Sequence, residues 1–574
     1  MKRKKVLAVG LACLAIGPTM ASCGGSGDKI INEQNVLNVK IYEGGYGTEY
    51  IYALKDAFET TFAKENYKIN VLTPSSDVCF ANIYQEIYMD GGVDIYFGGA
   101  VAEDGVYGEF GKCFADITES VLEKPAIGYD GKEEEGTIKD KIVYDYDRTI
   151  KGHDGEYYGL PHAMPLSGLA VNKKILSEMK LELPVTTNDF WNVSDAIMAE
   201  SAAQITAGKK TYRTAVKPFT YALTGNNYIM GAAQTWMAQY GGDEEHAAFW
   251  AFSDEEGKPL STDGTMATNP SIELAELFYE EKTSAVLENC FRMYDPNACV
   301  MNVATQSFID AQTKLMQGKA VFCPTGDWFF NEMYKKNPEA LNDIVFIKVP
   351  ILSELGVMTF GAGTTYNLSE EDCEKVLKQI AQGADAGQTI AEIQQSVKEN
   401  CGVTVSEADA LKIAEARGYV RITTGDGIYV SEKSDKKDIA ALFLRMCASK
   451  DGGLTFSEYA RSTSPYNIGK IAENYEWTRS VNAIVNNPYL TQIATEAVGY
   501  REEIGVKDMF YQKDYLALYI SEYKYNGELV SVFDLQSLQT KKDKSLYELA
   551  SKQLAKEIYE DAKMRIMNKQ WKLQ

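Results

Sequence analysis

The stretch VKIYEGGYGTEY (39–50) joins an alternating apolar run to a segment of helical spacing, and it is laid out like a phosphate-gripping loop. A strand, a glycine-rich turn and a helix N-terminus hold a pyrophosphate when small residues let backbone N–H groups approach it. Gly45 and Gly47 fill two positions of the G-x-G-x-x-G pattern, but Tyr50 stands at the third, where helix and strand must meet closely. The fingerprint is incomplete, and no cofactor is expected. The glycines read better as a sharp backbone turn at a strand's carboxyl end, where Glu43 and Tyr46 could reach the hydroxyls of a ligand.

Other catalytic patterns are missing. The sequence contains no G-x-S-x-G, no H-E-x-x-H and no Walker loop. Histidine is limited to His153, His162 and His246. Asp145, Asp147, Thr149 and Glu156 match the ends of a calcium loop, but Ile150 stands where glycine is needed, so no metal is expected. Carboxylate pairs are too numerous to single out a hydrolytic dyad, and an acidic surface accounts for them. The ten cysteines show no C-x-x-C pair; Cys290 and Cys299 are close enough in sequence to pair, and buried free thiols are the alternative. The chain reads as a binder, not an enzyme.

The elements that must position these residues begin with an export signal. MKRKKVLAVGLACLAIGPTMASC has a basic head, a short apolar run and small residues, so residues 1–22 read as a signal peptide. Met20-Ala21-Ser22-Cys23 resembles a lipobox, which makes Cys23 the expected lipidation site; 23–36 is then a flexible tether. Export argues against nucleotide cofactors, which are scarce outside the cytoplasm. The net charge of −23 argues against nucleic acid.

At 574 residues, more than one domain is expected. After the tether, LNVKIY, KINVLT and VDIYFGG alternate with helical segments, one carrying Ile51, Leu54, Phe58 and Phe62 at helical spacing. This is an α/β pattern with a largely parallel sheet. Thr186 or Thr187 is expected to cap a helix, and Gly241-Gly242 to stop the helix that carries Trp236. Residues 369–416 and the last hundred residues read as helical.

Six stretches in order then resemble one family. VDIYFGG, GEYYGLPHAMPLSGLAVNKKIL, PVTTNDFWNV, LMQGKAVFCPTGDWFFNEM, GIYVSEKSDKKDIAALFLRMCASKDGGLTFSEY and RSTSPYN are similar to landmarks of the extracellular solute-binding proteins of ABC importers, family 1, the maltose-binding-protein-like group. The resemblance spans roughly residues 37–470 and implies a two-lobed, periplasmic-binding-protein-like (type II) α/β fold with a hinge. Lobe 1 would comprise 37–158 and about 425–466, and lobe 2 would comprise 159–424 and 467–574. A helical insertion at 369–416 and a helical C-terminal extension are departures from the family. The implied protein is a monomer, anchored by lipid to the extracellular face of the cell membrane, with ABC permease subunits as partners.

Such a scaffold would take a solute, here a carbohydrate and in particular an oligosaccharide. Sugars need flat aromatic faces and planar polar groups, and the chain has 36 Tyr, 22 Phe and 6 Trp. Trp328 matches the family's stacking tryptophan, with Asp327 beside it. Gly98 and Gly99 end a cleft strand where other members carry Trp or a polar residue. Trp236, Glu43, Tyr46, His162, Arg421 and Ser464 complete the candidate set. A peptide, polyamine or polyol phosphate on the same scaffold is the alternative, and a surface glycan-active enzyme or adhesin a different class.

Overall fold

A computed structural model describes the chain from 29 to 494, except 42–43, 74–82, 90, 99–109, 144–145, 147–149, 153, 207–215, 223–227, 252–285, 287–288, 291, 294–296, 304, 423–426 and 467–474, together with the strands at 522–525 and 528–531. The expected signal, Cys23 and the first part of the tether lie outside the described residues, as do Glu43 and Gly99.

Leu37, Val39 and Ile41 alternate along the first strand and are fully buried, as a strand with a core-facing side requires. This strand, β1 (Val36–Ile41), pairs in parallel with β2 (Lys68–Leu72) and β3 (Ile95–Phe97). The helix Glu49–Thr61 between β1 and β2 buries Tyr50, Ile51, Leu54 and Phe58 on its core face, as the spacing predicts. β4 (Leu160–Pro161) and β10 (Gly427–Val430) complete a five-stranded sheet in the order β2-β1-β3-β10-β4. Ile41, Phe97, Pro161 and Gly427 all lie at one end of it.

The second sheet has the order β6-β7-β5-β8, built from β5 (Ser167–Asn172), β6 (Lys217–Phe219), β7 (Ala320–Gly326) and β8 (Ile344–Ile347). All six residues of β5 are buried. Leu169 and Val171 belong to one apolar cluster and Ala170 to another, so helices cover both faces. Gly326 at the end of β7 pairs with Ser167 at the start of β5. The chain therefore passes from the first sheet to the second through His162–Leu166. It crosses again between β9 (Tyr419–Ile422), which pairs with β11 (Thr491–Ala494), and β10. A third crossing runs from the helix Lys450–Ala460, packed on the first lobe, to Glu476–Val485, packed on β8.

The region 369–416 forms the helices Glu370–Asp385, Ile390–Cys401 and Glu407–Gly418. Ser369, Thr389 and Ser406 cap them by accepting the N–H three residues on. Val376, Leu377, Ile380, Ile393, Val397 and Ile413 join the main core of the second sheet, so these helices are built into that lobe. A buried charge cluster pins them. Arg417 grips Asp385 through Nε and Nη2 and donates to the Val349 carbonyl; Lys348 Nζ lies 2.8 Å from Asp385 and donates to the Arg417 carbonyl.

Three local expectations are resolved. Thr186, not Thr187, receives the Asp189 N–H and caps the helix Thr187–Thr206. The helix that carries Trp236 ends at the expected glycine pair: within Ile229–Ala251, Gly242 leaves the helical conformation with a φ of 82°, and a second helical segment follows it. In the last hundred residues, β12 (Glu522–Tyr525) and β13 (Glu528–Ser531) are strands that pair in antiparallel. The seven described cysteines are free thiols, Cys290 and Cys299 among them.

Asp385→Ala leaves Lys348 and Arg417 buried without their anion, and we expect a loss of about 3–5 kcal/mol in chemical denaturation. A loss below 1 kcal/mol would show that the cluster does not hold the three helices.

Candidate ligand cleft

The two sheets face each other through their strand ends, and the sequence-selected residues gather where the chain crosses between them. Asp327 follows β7 and is fully buried. Its backbone N–H donates to the Leu166 carbonyl at 3.0 Å, and its Oδ1 accepts the Leu166 N–H at 3.1 Å. Its Oδ2 accepts the Ser462 hydroxyl and the Thr463 N–H. Thr463 in turn donates its hydroxyl to the Met164 carbonyl at 2.6 Å. One carboxylate thus ties the first crossing to the third, and an isolated bridge between Leu166 and Ile422 adds the second. Both Asp327 oxygens are engaged by the protein, so its place is in the hinge, not among ligand contacts.

Trp328 is 8% exposed and folds over Gly326. It packs with Tyr228, their ring centroids 5.4 Å apart, and against Gly45 of the other lobe. A Cβ at Gly45 would lie 2.8 Å from the Trp328 Cβ, so only glycine permits this approach. The Gly45 carbonyl accepts a hydrogen bond from Asn331 Nδ2 at 3.1 Å, and Lys335 pairs with Glu49 at 2.6 Å. Trp328, Asn331 and Lys335 thus present one helical face to the glycine loop. Arg461 reinforces it, donating to Asn331 Oδ1 and lying 3.8 Å over the Tyr334 ring. Gly44 and Gly47, with φ of 42° and 71°, give the loop its turn.

The Tyr46 side chain turns into its own lobe, towards His162 and Phe456. His162 follows β4 at the cleft end of the sheet and is also ringed by Tyr50 and Phe97. Burial pushes its imidazole down to about 3, so it is neutral. Gly98, with φ of 82°, follows Phe97 and donates its N–H to the Gly427 carbonyl. Arg421 on β9 donates to Ser167 Oγ at 3.1 Å, beside Leu166. Ser464, in the third crossing, accepts the Tyr466 N–H. Trp236 does not join this group: it is fully buried in the second-lobe core and donates to the Pro350 carbonyl at 2.9 Å.

Sequence reading passed over Tyr228, Asn331, Lys335 and Arg461. The spacing of 328, 331 and 335 is one helical face and was a usable signal. Tyr228 and Arg461 reach the site only through the tertiary fold. Among the described residues no cluster of acidic, cysteine or histidine side chains could hold a metal, and no helix is long and apolar enough to cross a membrane.

No protein-family profile and no curated protein matches the sequence. Solved structures do resemble the chain. One is a chitin oligosaccharide binding protein, 13% identical, with 91% of this chain and 100% of that one covered and a TM-score of 0.51. Another is the apo-form of RafE from Streptococcus pneumoniae, 12% identical, with 92% and 99% covered and a TM-score of 0.51. A third is a "probable secreted solute-binding lipoprotein" from Streptomyces coelicolor, 10% identical, with 91% and 99% covered and a TM-score of 0.51. RafE has also been solved in complex with raffinose. This likeness establishes the two-lobed α/β fold of solute-binding proteins for the chain.

Burial raises the Asp327 carboxyl to about 6, against the hydrogen bonds from Ser462, Leu166 and Thr463. The folded chain therefore holds a proton between 3.8 and about 6 that the unfolded chain releases, and stability falls as pH rises through that window. Asp327→Asn should remove this slope. It should also cost about 1–3 kcal/mol, because an amide NH2 then meets donors. Urea denaturation of both proteins across the window measures this, and parallel profiles would contradict it.

Proposed function

We propose that the protein is the lipid-anchored, extracellular substrate-binding component of an ABC importer, capturing an oligosaccharide between its lobes for delivery to permease subunits. The observation that carries this reading is the convergence at the lobe junction of aromatic faces with polar groups: Trp328 and Tyr228 with Arg421 and Ser464. Aromatic faces cover the C–H surface of a sugar and planar polar groups take its hydroxyls. The carbohydrates named for the structural neighbours, chitin oligosaccharide and raffinose, support that solute class. The lipobox-like Cys23 and the GGSGDK tether support attachment to the outer face of the membrane, with the lobes held clear of it.

A binder of this kind has no chemistry to perform. Its work is a change in lobe populations: the solute favours the closed arrangement by the difference in its affinity for the two states. The Gly45–Trp328 contact and the Lys335–Glu49 pair are available to that closed arrangement, and the Asp327 cluster is the pivot.

A thermal-shift series against raffinose, a chitin oligosaccharide and monosaccharides tests the solute. A ligand at a hundred times its Kd stabilises the fold by about 2.7 kcal/mol. We expect such a shift with an oligosaccharide, and Trp328→Leu should weaken affinity at least tenfold, about 1.4 kcal/mol. A shift with a charged solute alone would overturn the carbohydrate assignment.

A further inference from the structure

His162 is 7% exposed, and neither ring nitrogen has a hydrogen-bond partner among the described residues. Four rings enclose it: Phe97 at 4.8 Å, Phe456 at 4.9 Å, Tyr50 at 5.1 Å and Tyr46 at 6.1 Å between centroids. Phe97, Phe456 and Tyr46 meet it edge to face. Aromatic faces and C–H edges give an N–H and a lone pair only weak partners. Buried polar atoms in native proteins are nearly always paired, so an orphan calls for an explanation. A histidine kept only for packing would be served as well by phenylalanine.

Its position gives the orphan a use. His162 directly follows β4, at the end of the sheet that faces the second lobe, and the residues after it form the first crossing. One of the four enclosing rings, Tyr46, is carried on the Gly44–Gly47 turn, and that turn is held from the second lobe by Asn331 and Trp328. Separation of the lobes would break those holds on the turn.

We propose that His162 is the polar anchor of a sugar subsite on the first lobe, its imidazole hydrogen-bonded to one ligand hydroxyl, with the Tyr46 turn closing over the pair. This deepens the solute-binding reading above and rests on it. A neutral imidazole has one donor and one acceptor, and a sugar hydroxyl can answer either. Burial keeps the ring uncharged, so phosphate or carboxylate gains no ion pair there. Closure over an empty site seals the nitrogens away from water without partners, which biases the unliganded protein against closing; a bound hydroxyl removes that bias.

His162→Phe keeps a ring in the cage and removes both nitrogens. We expect its melting temperature without ligand to equal or exceed the wild type's, and its affinity for the oligosaccharide probe, raffinose or a chitin oligosaccharide, to fall about tenfold. His162→Gln, which keeps a donor and an acceptor, should recover part of that affinity. If the phenylalanine variant does not fold, His162→Met reads the same loss. Wild-type affinity in the apolar variant overturns the anchor while leaving the solute reading intact. A wild type that answers neither oligosaccharide overturns the solute reading and the anchor together.

Discussion

The arrangement depends on one buried carboxylate. Asp327 receives the first crossing through Leu166 and the third through Ser462 and Thr463, at the point where β7 ends. A two-lobed protein must let its halves move without letting the crossings slide apart. Hydrogen bonds at the pivot meet that need, because they hold the strands' relative position while backbone angles further along absorb the rotation. Burying this acid raises its proton affinity, and the surrounding donors offset part of that penalty. The hinge and the cleft are therefore one construction: the residue after the pivot is Trp328, whose ring covers the opposing glycine loop.

That loop shows how similar local geometry serves unrelated ends. Glycines after a strand let a backbone approach something closely. In a dinucleotide site the approaching group is a pyrophosphate; here Gly45 admits the Trp328 side chain, and its carbonyl receives Asn331. Tyr50, which spoils the nucleotide pattern, is a core residue of the first lobe and part of the ring cage around His162. The additional helices of the second lobe are integral to its core, and Arg417, Lys348 and Asp385 lock them to it.

Much of this architecture was legible because its signals are local. The alternating strand LNVKIY, the spacing of Ile51, Leu54 and Phe58, and the helical character of 369–416 appear in the structure as the sequence implies. Gly242 ends the Trp236 helix as its position implies, because a positive φ breaks the helical hydrogen-bond ladder. The antiparallel strands 522–525 and 528–531 have a local signal in the sequence Asn526-Gly527, a dipeptide common between paired strands. Site residues were harder. Asp327 and Trp236 belong to residue types that suit a sugar, yet one faces the hinge and the other the core. Side-chain direction at a strand end is set by neighbours hundreds of residues away, and no local spacing carries it.

Capture of a neutral solute, as proposed above, requires lobes that pivot about Asp327. Small-angle X-ray scattering during titration with raffinose or a chitin oligosaccharide reads it most directly. A saturable decrease in the radius of gyration, with a midpoint matching the thermal-shift affinity, is the predicted result. Binding that leaves the scattering curve unchanged, or contraction with charged solutes alone, would contradict it.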